Sequence, residues 1–292
     1  PEPPESALIF ATPSGSYGLM NNIARAWGHQ NATEIIDKVQ SYFNFLAIDE
    51  ASMMPLSQFI LSGAFVSEKS HILVGGDHRQ MPPVRKHDWE EEDRRTVEEI
   101  APHLSTLDFF RFLKGELEVE HADPPRASEL PMDRLELTYR CHKRIANMLR
   151  RWMYKRYDEI EYRSKEEEVL SSPVSEIDAV REILDPEHPL ILVLHDEDTS
   201  QQANPTEVEV AKSIVEGVPE DEDWGIVTPH NAQRGLLKNE LGDEADIDTV
   251  ERYQGGERDL IIVSGTASDR ESIRKKHDFI LNPNRLNVAM SR

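Results

Sequence analysis

The segment "NFLAIDEAS" (residues 44–52) is an apolar run that stops on two adjacent acids, Asp49 and Glu50. The part from Phe45 to Ile48 predicts a strand that is buried on both faces, as in a parallel sheet covered by helices. The carboxyl ends of such strands form the edge at which open α/β sheets bind their ligands. The acid pair is therefore expected at a functional site.

The remainder of the chain alternates between strand-like and helix-like segments. Apolar runs of strand type are "ALIFATPS", "HILVGGDHRQ", "PLILVLHDE", "WGIVTPHNAQ", "DIDTVERYQG" and "DLIIVSGT". Helix-length segments such as "CHKRIANMLRRWMYKR" and "NPTEVEVAKSIVEGV" lie between them. This alternation predicts βαβ units and mostly parallel sheets with helices on both faces, which is the α/β fold class.

Two polar stretches divide the chain into halves. One is the acid-rich segment at residues 85–95, and the other is "HADPPRASELP" at residues 121–131. We predict a first lobe at residues 1–120, a hinge at residues 121–131 and a second lobe at residues 132–292. A chain of 292 residues is long enough for two domains that each bury a core.

The composition excludes several classes of protein. No apolar run approaches the roughly 20 residues that cross a bilayer, and no charged and then apolar leader opens the chain. A single cysteine, Cys141, excludes an internal disulfide framework, a cysteine zinc site and an iron–sulfur cluster within this chain. These features predict a cytoplasmic protein with no membrane partner.

The formal charge of −22 comes from 55 acids against 33 Lys and Arg residues. Phosphate binding depends on basic side chains, so this charge argues against a nucleic-acid partner without excluding it. A groove of backbone amides and hydroxyls can hold a phosphate chain within an acidic protein. The excess of acids is compatible with a salty cytoplasm and equally with an acidic insertion.

The acid pair has two interpretations from its residues alone. One carboxylate can hold Mg²⁺ while its neighbour accepts a proton from an attacking water. Alternatively, Asp49 or Ser52 caps a helix near residues 54–65. The next strand ends in Gly75, Gly76 and Asp77, with Gln80 close behind, and it too can be a binding edge or a simple turn stopped by prolines.

Polar clusters also follow the strands of the second half. They comprise Tyr139 and Arg140 in "LTYRCHKRIANML", Thr228 and His230 in "GIVTPHNAQ", Thr249, Gln254, Gly255 and Glu257 in "DTVERYQGGERDLIIVS", and Arg292 in "NRLNVAMSR". Each cluster taken singly is an ordinary loop or helix end. Their order and spacing together carry the specific signal.

The ordered set "LAIDEAS", "GDHRQMPPV", "YRCH", "TPHNAQ", "DTVERYQGGERDLIIVS" and "RLNVAMSR" resembles motifs II to VI of superfamily 1 helicases. The resemblance is closest to the B branch, which includes RNA-surveillance and Okazaki-fragment-processing helicases, and it extends from about residue 8 to residue 292. It implies two RecA-like lobes that hydrolyse ATP at their interface and move along single-stranded or partly duplex nucleic acid, in the family pattern from 5′ to 3′.

The resemblance also implies roles for individual residues at an ATP site. Asp49 would bind Mg²⁺, Glu50 would activate the hydrolytic water and Gln80 would sense the γ-phosphate. Arg140 and Arg292 would act as arginine fingers, which typically contribute about 10³ to 10⁵ in rate. The residues expected to bind the nucleotide are Tyr139, against the adenine, Glu257 beside Gly255, the adjacent Gln254, and Asp77 from the first half of the chain.

A nucleic-acid track is implied across both lobes. Its expected residues are Thr12, Ser14, Pro83, Thr228, His230 and Thr249. Hydroxyl and imidazole groups address phosphate and sugar, which suits binding without sequence preference.

Some positions depart from the family pattern. The phosphate-binding segment G-x-x-x-x-G-K-[ST] is absent from these 292 residues, so it is expected upstream of Pro1, and the chain alone is expected to have weak or no ATPase activity. Thr138, Lys143 and Gly256 replace residues common in the family. The alternative is a non-catalytic nucleic-acid-binding scaffold that keeps the helicase fold. A different P-loop ATPase is a third hypothesis, but it leaves the "YR", "TPHNAQ" and "RLNVAMSR" segments without a shared purpose.

Overall fold

The computed structural model describes residues 8–28, 39, 43–83, 103–119, 127 and 129–292. The chain forms two compact units, Pro1–Met132 and Asp133–Arg292. Helices alternate with parallel strands in both, which confirms the α/β class. The limits predicted for the lobes and hinge stay a prediction, because most of residues 121–131 lie outside the described residues.

The first unit has two strands and three helices among its described residues. They are α1 (Pro13–Trp27), β1 (Phe43–Ile48), α2 (Leu56–Gly63), β2 (Val66–Val74) and α3 (Thr106–Lys114). β1 and β2 are parallel, and Ile48 pairs with Val74. Because the two strands end in register, the residues that follow them meet at one edge of the sheet. A small core of Ile48, Ala51 and Met54 packs beneath this edge.

Two expectations for the first unit were wrong. Residues 8–12 of "ALIFATPS" form no strand; instead Thr12 caps α1 and Pro13 occupies its first turn, which is a strong local signal for a helix start. β1 is not buried on both faces, since Phe45 is 53% exposed. Within the described residues this sheet has only two strands, and Ile72 and Leu73 of β2 are exposed as well.

The second unit contains a three-stranded parallel sheet and a two-stranded one. The strands are β3 (Leu137–Thr138), β4 (Arg163–Ser164), β5 (Trp224–Thr228), β6 (Ile247–Thr249) and β7 (Leu260–Val263). β5 lies between β6 and β7, and β3 pairs with β4. The strand ends at Thr228 and Thr249 lie side by side, in register.

The described part of the second unit contains eight α-helices and one π-helical turn. They are α4 (Lys143–Leu149), a π-helical turn (Arg150–Tyr154), α5 (Lys155–Asp158), α6 (Asp178–Ile183), α7 (Pro205–Val215), α8 (Asn231–Leu241), α9 (Arg270–Lys275), α10 (His277–Ile280) and α11 (Pro283–Met290). The central core joins Val208 and Ala211 of α7 to Ile226, Leu237 and Ile247. Burying each large aliphatic side chain contributes about 1.5–3 kcal/mol.

The run "PLILVLHDE" was also expected to be a strand, and this expectation was wrong. Residues 191–200 are in no strand, and Leu192 is 81% exposed. A strand requires a hydrogen-bonded neighbour, and in the described part of the chain no ladder reaches this run. No helix among the described residues is both long and apolar enough to cross a membrane.

Candidate functional site

The acid pair occupies a tight turn at the end of β1. The Oδ1 atom of Asp49 accepts a hydrogen bond of 2.9 Å from the backbone N–H of Glu50. Glu50 has φ +50°, in the left-handed region that non-glycine residues seldom adopt. Such a conformation costs about 1–3 kcal/mol and persists only where the surrounding structure enforces it. Both acids are exposed, so this turn presents two carboxylates to solvent.

The helix-cap interpretation of these residues was wrong. α2 begins at Leu56 with Pro55 at the capping position, and no side chain forms a cap hydrogen bond there. Ser52 is buried, and Asp49 engages the backbone of its own turn. Capping of α2 therefore does not account for the acid pair.

The end of β2 holds the acidic turn in place. The backbone N–H of Gly75 donates to the carbonyl of Ile48 at 2.8 Å, and the N–H of Ala51 donates to the carbonyl of Gly75 at 2.9 Å. A Cβ atom at Gly76 would stand 3.0 Å from the backbone nitrogens of Ala51 and Ser52. A side chain at position 76 would push the two segments apart by a few tenths of an ångström, so glycine favours their close approach.

Asp77 organises the turn that carries Gln80. Its Oδ1 atom accepts from the backbone N–H of Arg79 at 2.8 Å, and its Oδ2 atom accepts from Nε2 of Gln80 at 3.3 Å. The turn interpretation of this segment therefore describes its geometry correctly, and the same turn holds the amide of Gln80 against Asp77. Within the first unit, the structure brings the acid pair and the Gly75–Gln80 segment to one edge.

The track residues of the first unit differ in exposure. Thr12 is exposed, and its hydroxyl accepts a hydrogen bond of 3.0 Å from Gly15 N–H. Ser14 is exposed in the first turn of α1. Pro83 is buried, so its ring is not on the surface.

In the second unit, Arg140 lies beside Glu257. Their Nε and Oε2 atoms are 3.5 Å apart. Tyr139 is 67% exposed, which leaves its ring accessible to a stacking partner from solvent. Gly255 has φ +90°, a conformation that suits glycine at the exposed tip of this loop, while Gln254 is half-buried.

A buried tyrosine anchors this loop. The hydroxyl of Tyr253 donates to Oδ2 of Asp246 at 2.6 Å, and burial together with that carboxylate raises the pKa of Tyr253. Gly225 of β5 leaves the space that the phenol occupies, because a Cβ at this position would overlap the Tyr253 hydroxyl. Arg258 pairs with the same Asp246 at 2.9 Å.

Arg292 is buried close to the end of α11. Its Nε atom donates to the carbonyl of Val288 at 3.1 Å. The start of α11 is capped by Asn282, whose side chain accepts from two backbone N–H groups. Arg285 of the same helix stacks on Phe279, with 3.7 Å between its guanidinium carbon and the ring centroid, and pairs with Glu251.

The track residues of the second unit are all buried. Thr228 has no exposed surface, and its hydroxyl is 2.8 Å from that of Thr266. Thr249 is buried as well. The ring of His230 lies 5.3 Å from the ring of Phe279, and burial lowers its pKa, with smaller contributions from Lys276 and Arg285.

A buried polar network behind these strand ends was missed by the sequence analysis. The side chain of Gln233 accepts from the backbone N–H of Asn204 at 2.7 Å and donates to the hydroxyl of Ser264 at 3.0 Å. Glu207 accepts from that hydroxyl at 2.5 Å and from Thr266 N–H at 2.9 Å. The pattern Asn204-Pro205 does signal a helix start, and Gln233 belongs to the "TPHNAQ" segment, but their partners are remote in sequence.

The described residues could bind a magnesium ion only together with a nucleotide that supplies further ligands. Within the described residues no group of three or more His, Cys, Asp or Glu side chains could hold a metal ion. Mg²⁺ bound with a nucleotide needs only one or two protein carboxylates, the other ligands being phosphate oxygens and water. The exposed carboxylate of Asp49 meets that requirement.

Most of this chain aligns with each of three known proteins. "DNA replication ATP-dependent helicase/nuclease JHS1" of Arabidopsis thaliana is 29% identical over 87% of the chain and 18% of its own length. "DNA-binding protein SMUBP-2" of Rattus norvegicus is 23% identical over 87% of the chain and 24% of its own length. "DNA polymerase alpha-associated DNA helicase A" of Saccharomyces cerevisiae is 27% identical over 86% of the chain and 37% of its own length. The chain thus spans well under half of each relative.

The AAA_12 family model, described as an AAA domain, matches residues 120–292, which is more than half of the chain. Two of these relatives are named as helicases. The chain therefore belongs to the AAA_12 family of AAA domains and is a relative of superfamily 1 helicases.

Proposed function

We propose that the complete protein containing this chain is an ATP-dependent helicase or translocase that moves 5′ to 3′ along single-stranded or partly duplex nucleic acid. ATP would be hydrolysed between two RecA-like lobes, with the acids supplied by the first and the arginines by the second. The names of the relatives, two of them helicases and one a DNA-binding protein, support this class of activity.

One observation carries the proposal: Glu50 is exposed at φ +50° beside Asp49, in a turn locked by the end of β2. A strained non-glycine residue at a sheet edge is typical of a functional site. A scaffold that only binds nucleic acid has no need of a carboxylate held at this cost. The helicase is for this reason favoured over the non-catalytic scaffold.

The proposed mechanism divides the work between the two acids. Asp49 would hold Mg²⁺, which when bound neutralises charge on the phosphates. Glu50 would orient a water and take up its proton, since a carboxylate next to the metal ligand is well placed as a general base. Gln80, steadied by Asp77, would report the presence of the γ-phosphate to the turn that follows β2.

The two arginines would supply positive charge to the transition state. In the structure Arg140 pairs with Glu257, and Arg292 is buried with its Nε atom bonded to the carbonyl of Val288. A bound nucleotide would therefore have to draw both arginines away from these partners. Tyr139 would stack on the adenine, and Glu257, Gln254 and Gly255 would line the ribose and phosphates. These roles follow the family pattern and remain proposals.

We assign the surface contacts with nucleic acid to the exposed hydroxyls of Thr12 and Ser14. The other four track residues are buried: Pro83, Thr228, His230 and Thr249. They would pack beneath the residues that bind nucleic acid, or would contact the nucleic acid only after a rearrangement. Both DNA and RNA fit such contacts, because hydroxyls address phosphate and sugar in either. The cytoplasmic location stays a prediction.

The test is Glu50→Gln in the complete protein, with ATPase activity measured on single-stranded DNA and on single-stranded RNA. ATP binding should be retained, and turnover should fall by about 10²- to 10⁴-fold, because the general base is lost. The matched control is Glu68→Gln on the exposed part of β2, which should leave turnover unchanged. Near-normal turnover by Glu50→Gln contradicts the assigned role, and a wild-type protein that binds nucleic acid but never hydrolyses ATP indicates the scaffold.

A further inference from the structure

We propose that a stacked pair of tyrosines, Tyr154 and Tyr162, fixes the position of Arg140 relative to Arg292, so that both candidate arginine fingers reach one phosphate group together. The inference rests on the proposed function. Tyr154 and Tyr162 are positioning residues in this scheme, since they act through the arginines. All of these residues belong to the second unit.

We call the Tyr154–Tyr162 pair the bridge. On the Arg140 side, the contacts of the bridge involve Cys141, the residue next to Arg140. This cysteine is buried, and Tyr162 directly precedes β4, whose two residues pair with the two residues of β3. Arg140 itself is on the surface. A buried residue immediately after an exposed one anchors the backbone at that point. The place at which the Arg140 side chain emerges is therefore set by buried Cys141 and by the pairing of β3 with the strand that follows Tyr162.

The Arg292 side of the bridge passes through α11. Nδ2 of Asn287 donates to the hydroxyl of Tyr154 at 2.8 Å. Asn287 has no exposed surface, and the next residue, Val288, accepts the hydrogen bond from Nε of Arg292. Tyr154 therefore holds the turn of the helix to which Arg292 is attached.

The two tyrosines join these sides directly. Their ring centroids are 4.5 Å apart, with an angle of 23° between the planes. Glu161, adjacent to Tyr162, pairs with Arg150 and Lys155, the residues at the start of the π-helical turn and just after it. The segment that carries Tyr162 is thus clamped to the segment that carries Tyr154 by charge as well as by stacking.

The local backbone supports a specialised role for this contact. Residues Arg150–Tyr154 form a π-helical turn between two α-helical segments, and such turns are rare and frequent at functional sites. The turn accommodates one extra residue and rotates those that follow it, and it ends on Tyr154. A tyrosine that served packing alone would need only its ring, whereas the hydroxyl of Tyr154 is hydrogen-bonded to α11, the helix that precedes Arg292. Burial raises the pKa of the Cys141 thiol, and the side chain of Tyr162 acts on that thiol with a smaller, opposite effect that lowers the pKa.

A fixed relation between the arginines has a kinetic consequence. Two guanidinium groups stabilise a phosphoryl-transfer transition state only if both arrive in the correct geometry. Displacement of a catalytic group by about 1 Å can lower the rate by roughly 10²-fold. Loss of a bridge hydroxyl should therefore lower kcat, while ATP affinity, which depends on other contacts, should change little.

The experiment uses Tyr154→Phe and Tyr162→Phe in the complete protein, because each substitution keeps the ring stack and removes one hydroxyl. Each is made in the wild-type, Arg140→Ala and Arg292→Ala backgrounds, and kcat and KM for ATP are measured with saturating single-stranded nucleic acid. Tyr157→Phe is the matched control: Tyr157 is exposed on α5, three residues from Tyr154.

We expect Tyr154→Phe to lower kcat by about ten-fold or more with KM within two-fold of the wild type. The same substitution should have no further effect once Arg292 is alanine. Tyr162→Phe should behave in the same way with respect to Arg140. Asn287→Ala, which removes the Tyr154 hydrogen bond from the other side, should reproduce the kcat of Tyr154→Phe. Tyr157→Phe should be neutral in every background.

The bridge is overturned by a normal kcat for both tyrosine variants, or by equal losses in all backgrounds, which would indicate general structural support. A fall in melting temperature matching the loss of kcat has the same meaning. If instead Arg140→Ala and Arg292→Ala leave kcat unchanged, the finger assignments themselves are wrong. That outcome separates failure of the proposed function from failure of the bridge alone.

Discussion

The sheet of β1 and β2 and the sheet of β5, β6 and β7 both carry polar motif residues at their strand ends. These residues are exposed in the first sheet and buried in the second. At the edge of β1 and β2, Asp49 and Glu50 are exposed in a strained turn. At the edge of β5 and β6, Thr228 and Thr249 are buried. The hydroxyl of Thr228 is already hydrogen-bonded to Thr266 within the protein.

The difference indicates that position at a strand end does not by itself mean contact with a ligand. Exposed polar groups held at a cost in backbone energy are ready to act on a ligand. Buried polar groups with partners inside the protein contribute to stability, and removing one partner leaves the other unsatisfied at a cost of about 1–3 kcal/mol. We therefore expect substitutions at the first edge to alter activity and substitutions at the second edge to alter stability.

The largest effect on stability is expected from Gly225→Ala at the second sheet. The new methyl group would overlap the hydroxyl of Tyr253, so the phenol must move and lose its bond to Asp246. Overpacking and the lost hydrogen bond together should lower the free energy of unfolding by about 2–4 kcal/mol. Urea denaturation of the second unit within the complete protein measures this change.

Gly235→Ala is the control for that substitution. Gly235 lies inside α8, with open space where the new methyl group would stand, and alanine is favoured over glycine in a helix by about 1 kcal/mol. The control should therefore raise stability. If Gly225→Ala were tolerated as well as Gly235→Ala, the tight packing of Tyr253 over β5 would be refuted.

A smaller effect is expected from Thr228→Val, paired with Ser14→Ala. Thr228→Val removes a buried hydroxyl and should lower the free energy of unfolding by about 1–3 kcal/mol, with unchanged affinity of the folded protein for single-stranded nucleic acid. Ser14→Ala, at an exposed site, should do the reverse and weaken binding by about two- to ten-fold. Fluorescence anisotropy and urea denaturation measure the two quantities. If Thr228→Val weakened binding and Ser14→Ala lowered stability instead, Thr228 would be part of the binding surface.

The amino-acid sequence predicted those parts of the molecule that depend on local pattern. The alternation of strands and helices indicated the α/β class, and the structure confirms parallel sheets. Thr12 and Pro13 are a helix cap and a first-turn proline that the sequence itself contains, yet the apolar residues before them favoured a strand. Local capping chemistry should have outweighed hydrophobicity at that position.

The remainder depended on residues far apart in the chain. The buried hydroxyl of Thr228 has its hydrogen-bond partner in Thr266, 38 positions away in the chain. Asn204 and Gln233 are 29 positions apart and form one network. Similarly, the run "PLILVLHDE" has the composition of a strand, but a strand exists only when a neighbour pairs with it. No pattern within a short window contains that information.

The smallest expected effect concerns pH and the buried His230. Its pKa is lowered first by burial and then by the charges of Lys276 and Arg285, so the folded protein disfavours the protonated ring. Below the ordinary value of 6.5 the unfolded chain binds more protons at this site than the folded one. The free energy of unfolding should therefore decrease as the pH falls through and below 6.5.

The measurement is urea denaturation of the wild type and of His230→Gln at pH 7.5 and pH 5.5. Glutamine does not titrate in this range, so the variant should lose less stability between the two pH values than the wild type does. An identical loss in both proteins would show that other groups cause the pH dependence. Because a neutral imidazole cannot attract phosphate as a cation, the affinity for nucleic acid should also gain nothing from His230 at pH 7. If His230→Gln instead weakened the binding of nucleic acid at pH 7, the His230 ring would contact the ligand, as expected of the exposed polar groups at the edge of β1 and β2. It would then differ from the buried polar groups at the edge of β5 and β6.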